Sequence, residues 1–131
     1  MSDINKTFSD LLAALEKCRA FCPWTGTQTV GSYSKQILGE AQEVQQAIEK
    51  NDMVNLKEEL GDVLWDTLMV AHIAQDAGYF KIEDIMDNVI KKMKHRKPYV
   101  FESSHVSLEE AKRIWLEAKA MEKNVPIIPT R

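Results

Sequence analysis

Apolar residues recur every three or four positions along nearly the whole chain, and no stretch alternates long enough to line one face of a strand. A chain with that single period buries its apolar surface by packing helix on helix, so the expected fold class is all-α. Phe8, Leu11, Leu12, Leu15 and Cys18 mark a first helix from about residue 5 to 20, stopped before Pro23. The stretch FCPWTGTQTVG at 21–31 holds Pro, two Gly and three Thr, which is loop chemistry, with Trp24 expected to plug an edge of the core. A second helix is expected from about Ser32 to Lys50. Asp52 is placed to cap a third that reaches Ala77, and Gly78 suits the left-handed position beyond its end. Ile82, Ile85, Val89, Ile90 and Met93 define a fourth, whose basic last turn (Lys91, Lys92, Lys94, His95, Arg96) complements the helix dipole before Pro98. Ser107 followed by Glu110 is a capping-box pattern opening a fifth through Leu108, Ala111, Ile114, Trp115 and Ala118. Residues 124–131 carry no such pattern and are expected to be irregular. Short connections make successive helices antiparallel neighbours.

With 131 residues the chain fits one domain with its own core, small enough to gain from oligomerisation. The 44% hydrophobic and 28% charged shares are those of a globular protein, and a net charge of −3 argues against a nucleic-acid or membrane-surface partner. No apolar run approaches the ~20 residues of a membrane span, and the opening MSDINKTFSD lacks the basic and apolar regions of a secretory signal, so a cytoplasmic location is expected. Cys18 and Cys22, four apart with no His nearby, read as reduced packing residues. His72 lies near the apolar side of the third helix, while His95 and His105 are expected at the surface.

Two acidic pairs stand out from the chain's 20 acids. Glu40/Glu43 and Glu59/Asp62 each sit three residues apart on consecutive helices. On wheels turning ~100° per residue each pair borders an apolar stripe: Ile37, Leu38, Ala41 and Val44 on one helix, Leu60, Val63, Leu64, Thr67 and Ala71 on the other. Packing the stripes together brings four carboxylates to one rim, where like charges are costly unless a cation or protons neutralise them. The competing reading is a solvated border of snorkelling acids. Gly61, inside the third helix where Gly costs ~1 kcal/mol against Ala, points to a close backbone approach. All-oxygen ligands select Mg²⁺ or Mn²⁺, and such a cation commonly keeps positions open for phosphate oxygens. Lys92 and Arg96, four apart on the fourth helix, could clamp a polyphosphate or could be a solvated face.

Taken together, CPWTGTQT at 22–29, LGEAQEVQQAI at 38–48, LKEELGDVLWD at 56–66, KMKHRKPYVF at 92–101 and IWLEAK at 114–119 resemble the MazG family of nucleoside triphosphate pyrophosphohydrolases. The resemblance implies one domain over 1–131, with its core at about 5–123. It also implies an antiparallel bundle of about five helices that dimerises, alone or as a dimer of dimers, to complete a four-helix site. The implied activity is Mg²⁺-dependent hydrolysis of nucleoside or deoxynucleoside triphosphates to the monophosphate and pyrophosphate. Glu40, Glu43, Glu59 and Asp62 match the family's metal ligands. Lys92, Arg96, Trp115 and Lys119 match its substrate contacts. Glu58 or Asp66, near the acidic cluster, could take the proton of the attacking water, and Trp24 or Trp115 could stack on a base. The sequence departs from the pattern at Gly39, where the family has a further acid, and at Lys97-Pro98-Tyr99-Val100-Phe101, where it has His-Pro-His-Val-Phe. The loss at Gly39 leaves a second reading open, a catalytically weakened dimer that binds nucleotide or another protein, and a third is a ligand-free structural oligomer.

Overall fold

Asp3 accepts a hydrogen bond from the backbone N–H of Lys6 at 3.2 Å and so starts α1, Ile4–Phe21, by meeting one of the donors a helix N-terminus leaves unpaired. The computed structural model describes residues 3–123, so the irregular tail expected at 124–131 lies outside the described residues. After α1 the elements are α2 (Pro23–Gly26), α3 (Val30–Glu49), α4 (Met53–Asp76), α5 (Ile82–Arg96), α6 (Pro98–Phe101) and α7 (Leu108–Glu122). The five long helices are those of the apolar pattern, and the fold class is all-α. Two single-turn helices stand beyond the expected helices, α2 where a loop was expected and α6 at Pro98, after the fourth helix. Each begins with proline at its first position, where the ring's fixed φ suits a helical turn and the missing N–H is no loss.

Local chemistry accounts for the ends. Thr29 and Ser32 exchange side-chain and backbone hydrogen bonds at 2.8 and 3.1 Å, a reciprocal cap that starts α3 at Val30, two residues earlier than expected. Asn51, at φ 52°, turns the chain between α3 and α4, and Asp52 caps α4 through the Asn55 N–H at 3.1 Å. Gly78, at φ 82°, takes the left-handed position beyond α4. Ser107 caps α7 through the Glu110 N–H at 3.1 Å.

The chain clusters into two compact units divided between Ile82 and Glu83. In the first, α3 and α4 pack against each other along the largest helix–helix contact, and α1 packs on α4. Leu15, Tyr33, Leu68, Met69 and Ile73 form the core, with Phe8, Leu11, Leu12, Cys18, Val30, Trp65 and Val70 packed around them. Leu15 and Met69 are sealed from solvent, a burial that contributes about 1.5–3 kcal/mol each. Arg19 donates to the carbonyls of Thr25 and Gln28 and to Asp76 Oδ2, pinning α2 and the end of α4 to α1.

The expected stripes of α3 and α4 are buried only in part. Ala71 is buried and Ile37, Val44 and Val63 are half-buried, but Leu38, Leu60, Leu64 and Thr67 are exposed. Trp24 is also more exposed than a core plug would be, at 53%, and makes a tilted contact with Tyr33 of the core, ring centroids 5.6 Å apart. Both cysteines are free thiols. In the second unit, α7 supplies Trp115 and Glu122 as partners for the end of α5, and the Lys94 ammonium lies 5.7 Å from the Phe101 ring centroid. Among the described residues no helix is long and apolar enough to cross a membrane.

Candidate active site

The tight turn after α3 folds α4 back along it, which sets the middle of α3 beside the start of α4. Glu40 and Glu43 from α3 and Glu59 from α4 meet there, with a carboxylate oxygen of each within 4.8 Å of the others. Glu40 and Glu59 are half-buried and Glu43 is exposed. Glu40 Oε2 and Glu59 Oε2 are shielded from solvent and accept no hydrogen bond from the described residues. Two carboxylate oxygens turned inward without donors require protons or a cation between them.

The titration behaviour follows from this crowding. The carboxylates of Glu43 and then Glu40, which would accept from a protonated Glu59, together with desolvation and their charges, push Glu59 up to about 8. A protonated Glu59 carboxyl beside it pulls Glu40 down, but desolvation and the Glu43 and Asp62 carboxylates outweigh that and leave Glu40 above the usual carboxylate range. Asp62, the fourth expected ligand, is exposed and lies outside the close set; its charge reaches Glu40 on one side and Asp66 on the other. Glu58 is exposed.

Beneath the acids sits a buried polar pair that sequence reasoning did not connect. Tyr33 donates to Asp66 Oδ1 at 3.4 Å, and Asp66 Oδ2 is enclosed without a partner among the described residues. Burial first, then the Asp62 charge, raises Asp66 despite the Tyr33 bond. A signal for this pair existed, since Tyr33 and Asp66 lie seven residues from Glu40 and Glu59 on the same helix faces. Gly61 does not mark a close approach among the described residues, because a Cβ there would meet none of their atoms within 4 Å; the same is true of Gly39.

Lys92 and Arg96 line a groove of about 440 Å³ in the second unit, together with Asn88, Lys91, His95 and Glu122. Lys92 is exposed, whereas the Arg96 side chain is only 14% exposed and already engaged. Its Nη2 and Nε donate to Glu122 Oε2 at 2.8 and 3.0 Å, and its guanidinium lies 4.7 Å from the Trp115 ring centroid. Lys97 covers the same ring at 5.6 Å, so half-buried Trp115 packs beneath two cations. Lys119 is exposed on α7. Glu122 was not singled out by sequence, and 26 residues separate it from Arg96, beyond the reach of any helical spacing rule.

Residues 28–101 match the MazG nucleotide pyrophosphohydrolase domain, more than half of the chain. The chain belongs to this family. It is 38% identical over 118 residues to a protein of Mycolicibacterium smegmatis named nucleoside triphosphate pyrophosphohydrolase, covering 88% of this chain and 36% of that protein. It is 37% identical over 127 residues to the nucleoside triphosphate pyrophosphohydrolase/pyrophosphatase MazG of Thermotoga maritima, covering 94% of this chain and 48% of that protein. The chain thus spans about a third to a half of these relatives. The crystal structure of a mazG-related protein from Thermotoga maritima superposes with a TM-score of 0.80 at 38% identity, over 86% of this chain and 98% of that one.

Proposed function

We propose that this MazG-family chain hydrolyses nucleoside or deoxynucleoside triphosphates to the monophosphate and pyrophosphate, with Mg²⁺ or Mn²⁺ held by its acidic cluster. The observation that carries the reading is the convergence of Glu40, Glu43 and Glu59 within 4.8 Å, with two enclosed oxygens lacking donors. Hard oxygen donors in a crowded, anionic set fit a hard divalent cation. Glu40, Glu43 and Glu59 would hold it, and Asp62 would join by a rotamer change from its exposed position. Such an ion supplies charge neutralisation for polyphosphate oxygens and a more acidic bound water.

The chain's own residues supply the rest. Water attack on the α–β anhydride breaks one P–O bond and releases pyrophosphate; in the second unit, Lys92, Arg96 and Lys119 would supply cations that bind phosphate oxygens. The proton of the attacking water needs an acceptor that solvent can reach. Asp66 Oδ2 is enclosed, which leaves Glu58, exposed beside Glu59, as the acceptor. Trp115, held under Arg96 and Lys97, would serve to position Arg96 more than to stack on a base. Leu38, Leu60 and Leu64, exposed at 70%, 51% and 48%, favour a dimer that covers the α3–α4 face. Gly39, where the family has an acid, lowers the rate in this proposal, and the open space at its Cβ position leaves room for a longer side chain.

The test is pyrophosphate release from a panel of nucleoside and deoxynucleoside triphosphates, with Mg²⁺ and with chelator. Metal-dependent release by the wild type and none by Glu59→Gln are expected. Equal release with chelator, or a silent wild type whose Gly39→Glu variant turns over, would overturn the active-enzyme reading.

A further inference from the structure

Arg96 is held by Glu122 and by the Trp115 ring. Glu122 accepts from Nε and Nη2 along one edge, the Trp115 ring lies 4.7 Å from the guanidinium carbon, and only 14% of the side chain remains exposed. His95 Nδ1 lies 3.3 Å from the other oxygen of Glu122 and fixes that carboxylate in turn. A guanidinium carries five N–H groups in a rigid fork. Glu122 uses the edge formed by Nε and the near side of Nη2, which leaves both Nη1 hydrogens and the outer Nη2 hydrogen uncommitted to it. That second edge has the spacing that grips two oxygens of one phosphate. Arg96 lines the same groove as Lys91 and Lys92.

We infer that Glu122 is a positioning residue: it orients Arg96 so that the free edge of the guanidinium is presented to a phosphate group in the α5–α7 groove. This inference rests on the proposed reading of Lys92 and Arg96 as phosphate contacts and extends it to a carboxylate on another helix. Its sign separates it from plain electrostatics. Removing a negative charge beside a basic groove strengthens anion binding through space, whereas releasing a pre-oriented arginine weakens it.

The experiment measures binding of inorganic tripolyphosphate by calorimetry, without metal, to the wild type, Glu122→Gln, Arg96→Ala and the double variant, with pyrophosphate release from a triphosphate measured in parallel. Glu122→Gln is expected to bind tripolyphosphate about tenfold more weakly and to raise KM with little change in kcat. In the Arg96→Ala background the same change is expected to have no further effect, and circular dichroism identifies any variant that fails to fold. Tighter or unchanged binding by a folded Glu122→Gln, with Arg96→Ala still weakened, overturns the positioning role alone. No tripolyphosphate binding by the wild type removes the phosphate groove and the positioning role with it, whatever the acidic cluster does.

Discussion

Titrating Mg²⁺ into this protein at pH 7 is expected to release about one proton, because the acidic cluster keeps one when no cation is present. Glu59 carries a value of about 8 in the folded chain against an ordinary 4.5. A group at about 8 is ~90% protonated at pH 7 and ~10% at pH 9, so cation binding displaces ~0.9 proton at the lower pH and ~0.1 at the higher. Calorimetry in two buffers of different ionisation enthalpy reads that count directly, since each released proton adds the buffer's own heat. Glu59→Gln is expected to remove the buffer dependence at pH 7 and to weaken the cation. The same shift sets a stability slope. Between about 4.5 and about 8 the folded chain holds a proton that the unfolded chain has lost, so metal-free stability falls as pH rises through that window, and saturating Mg²⁺ flattens the slope. Identical heats in both buffers at pH 7, alongside clear binding, would refute the shared-proton description of Glu40, Glu43 and Glu59.

Other outcomes follow from single residues. Leu15→Ala, at a core position sealed from solvent, is expected to cost ~3 kcal/mol in a urea unfolding midpoint measurement, and a cost under ~1 kcal/mol would contradict the packing described. Tyr33→Phe leaves both buried oxygens of Asp66 without a donor and is expected to cost ~1–2 kcal/mol by the same assay. Gly39→Ala meets open space in a helix interior and is expected to stabilise by ~1 kcal/mol, and Gly39→Glu to increase pyrophosphate release. The Arg96 bond, and next to it His95, holds Glu122 below the usual carboxylate range. Its contribution to stability is therefore complete above about 4.5 and lost as pH falls through the depressed value, which a carbon-detected NMR titration of Glu122 would follow.

The parts of this molecule written in local rules were legible from sequence. Asp52 as a cap, Gly78 beyond α4 and Ser107 before α7 each act within a few residues, and each stands where its chemistry places it. Pro23 and Pro98 were legible as stops but not as the first residues of single turns, because the same fixed φ serves both ends. The acidic rim was legible as two faces, yet periodicity cannot say that Glu43 swings toward Glu59 while Asp62 stays outside the close set. Leu38, Leu60 and Leu64 show the same limit: their spacing states that they want cover, not which surface provides it. The Arg96–Glu122 pair joins two helices across 26 residues, and no spacing in either helix announces it. For Gly61, nothing among the described residues explains the residue.

The central claim is that Glu40, Glu43 and Glu59 together hold one divalent cation. Anomalous diffraction from crystals grown with Mn²⁺, collected at the manganese edge, tests it most directly. The account predicts a peak within coordination distance of carboxylate oxygens from all three glutamates, lost in Glu59→Gln. A manganese peak elsewhere on the chain, with these three side chains unliganded, would contradict it.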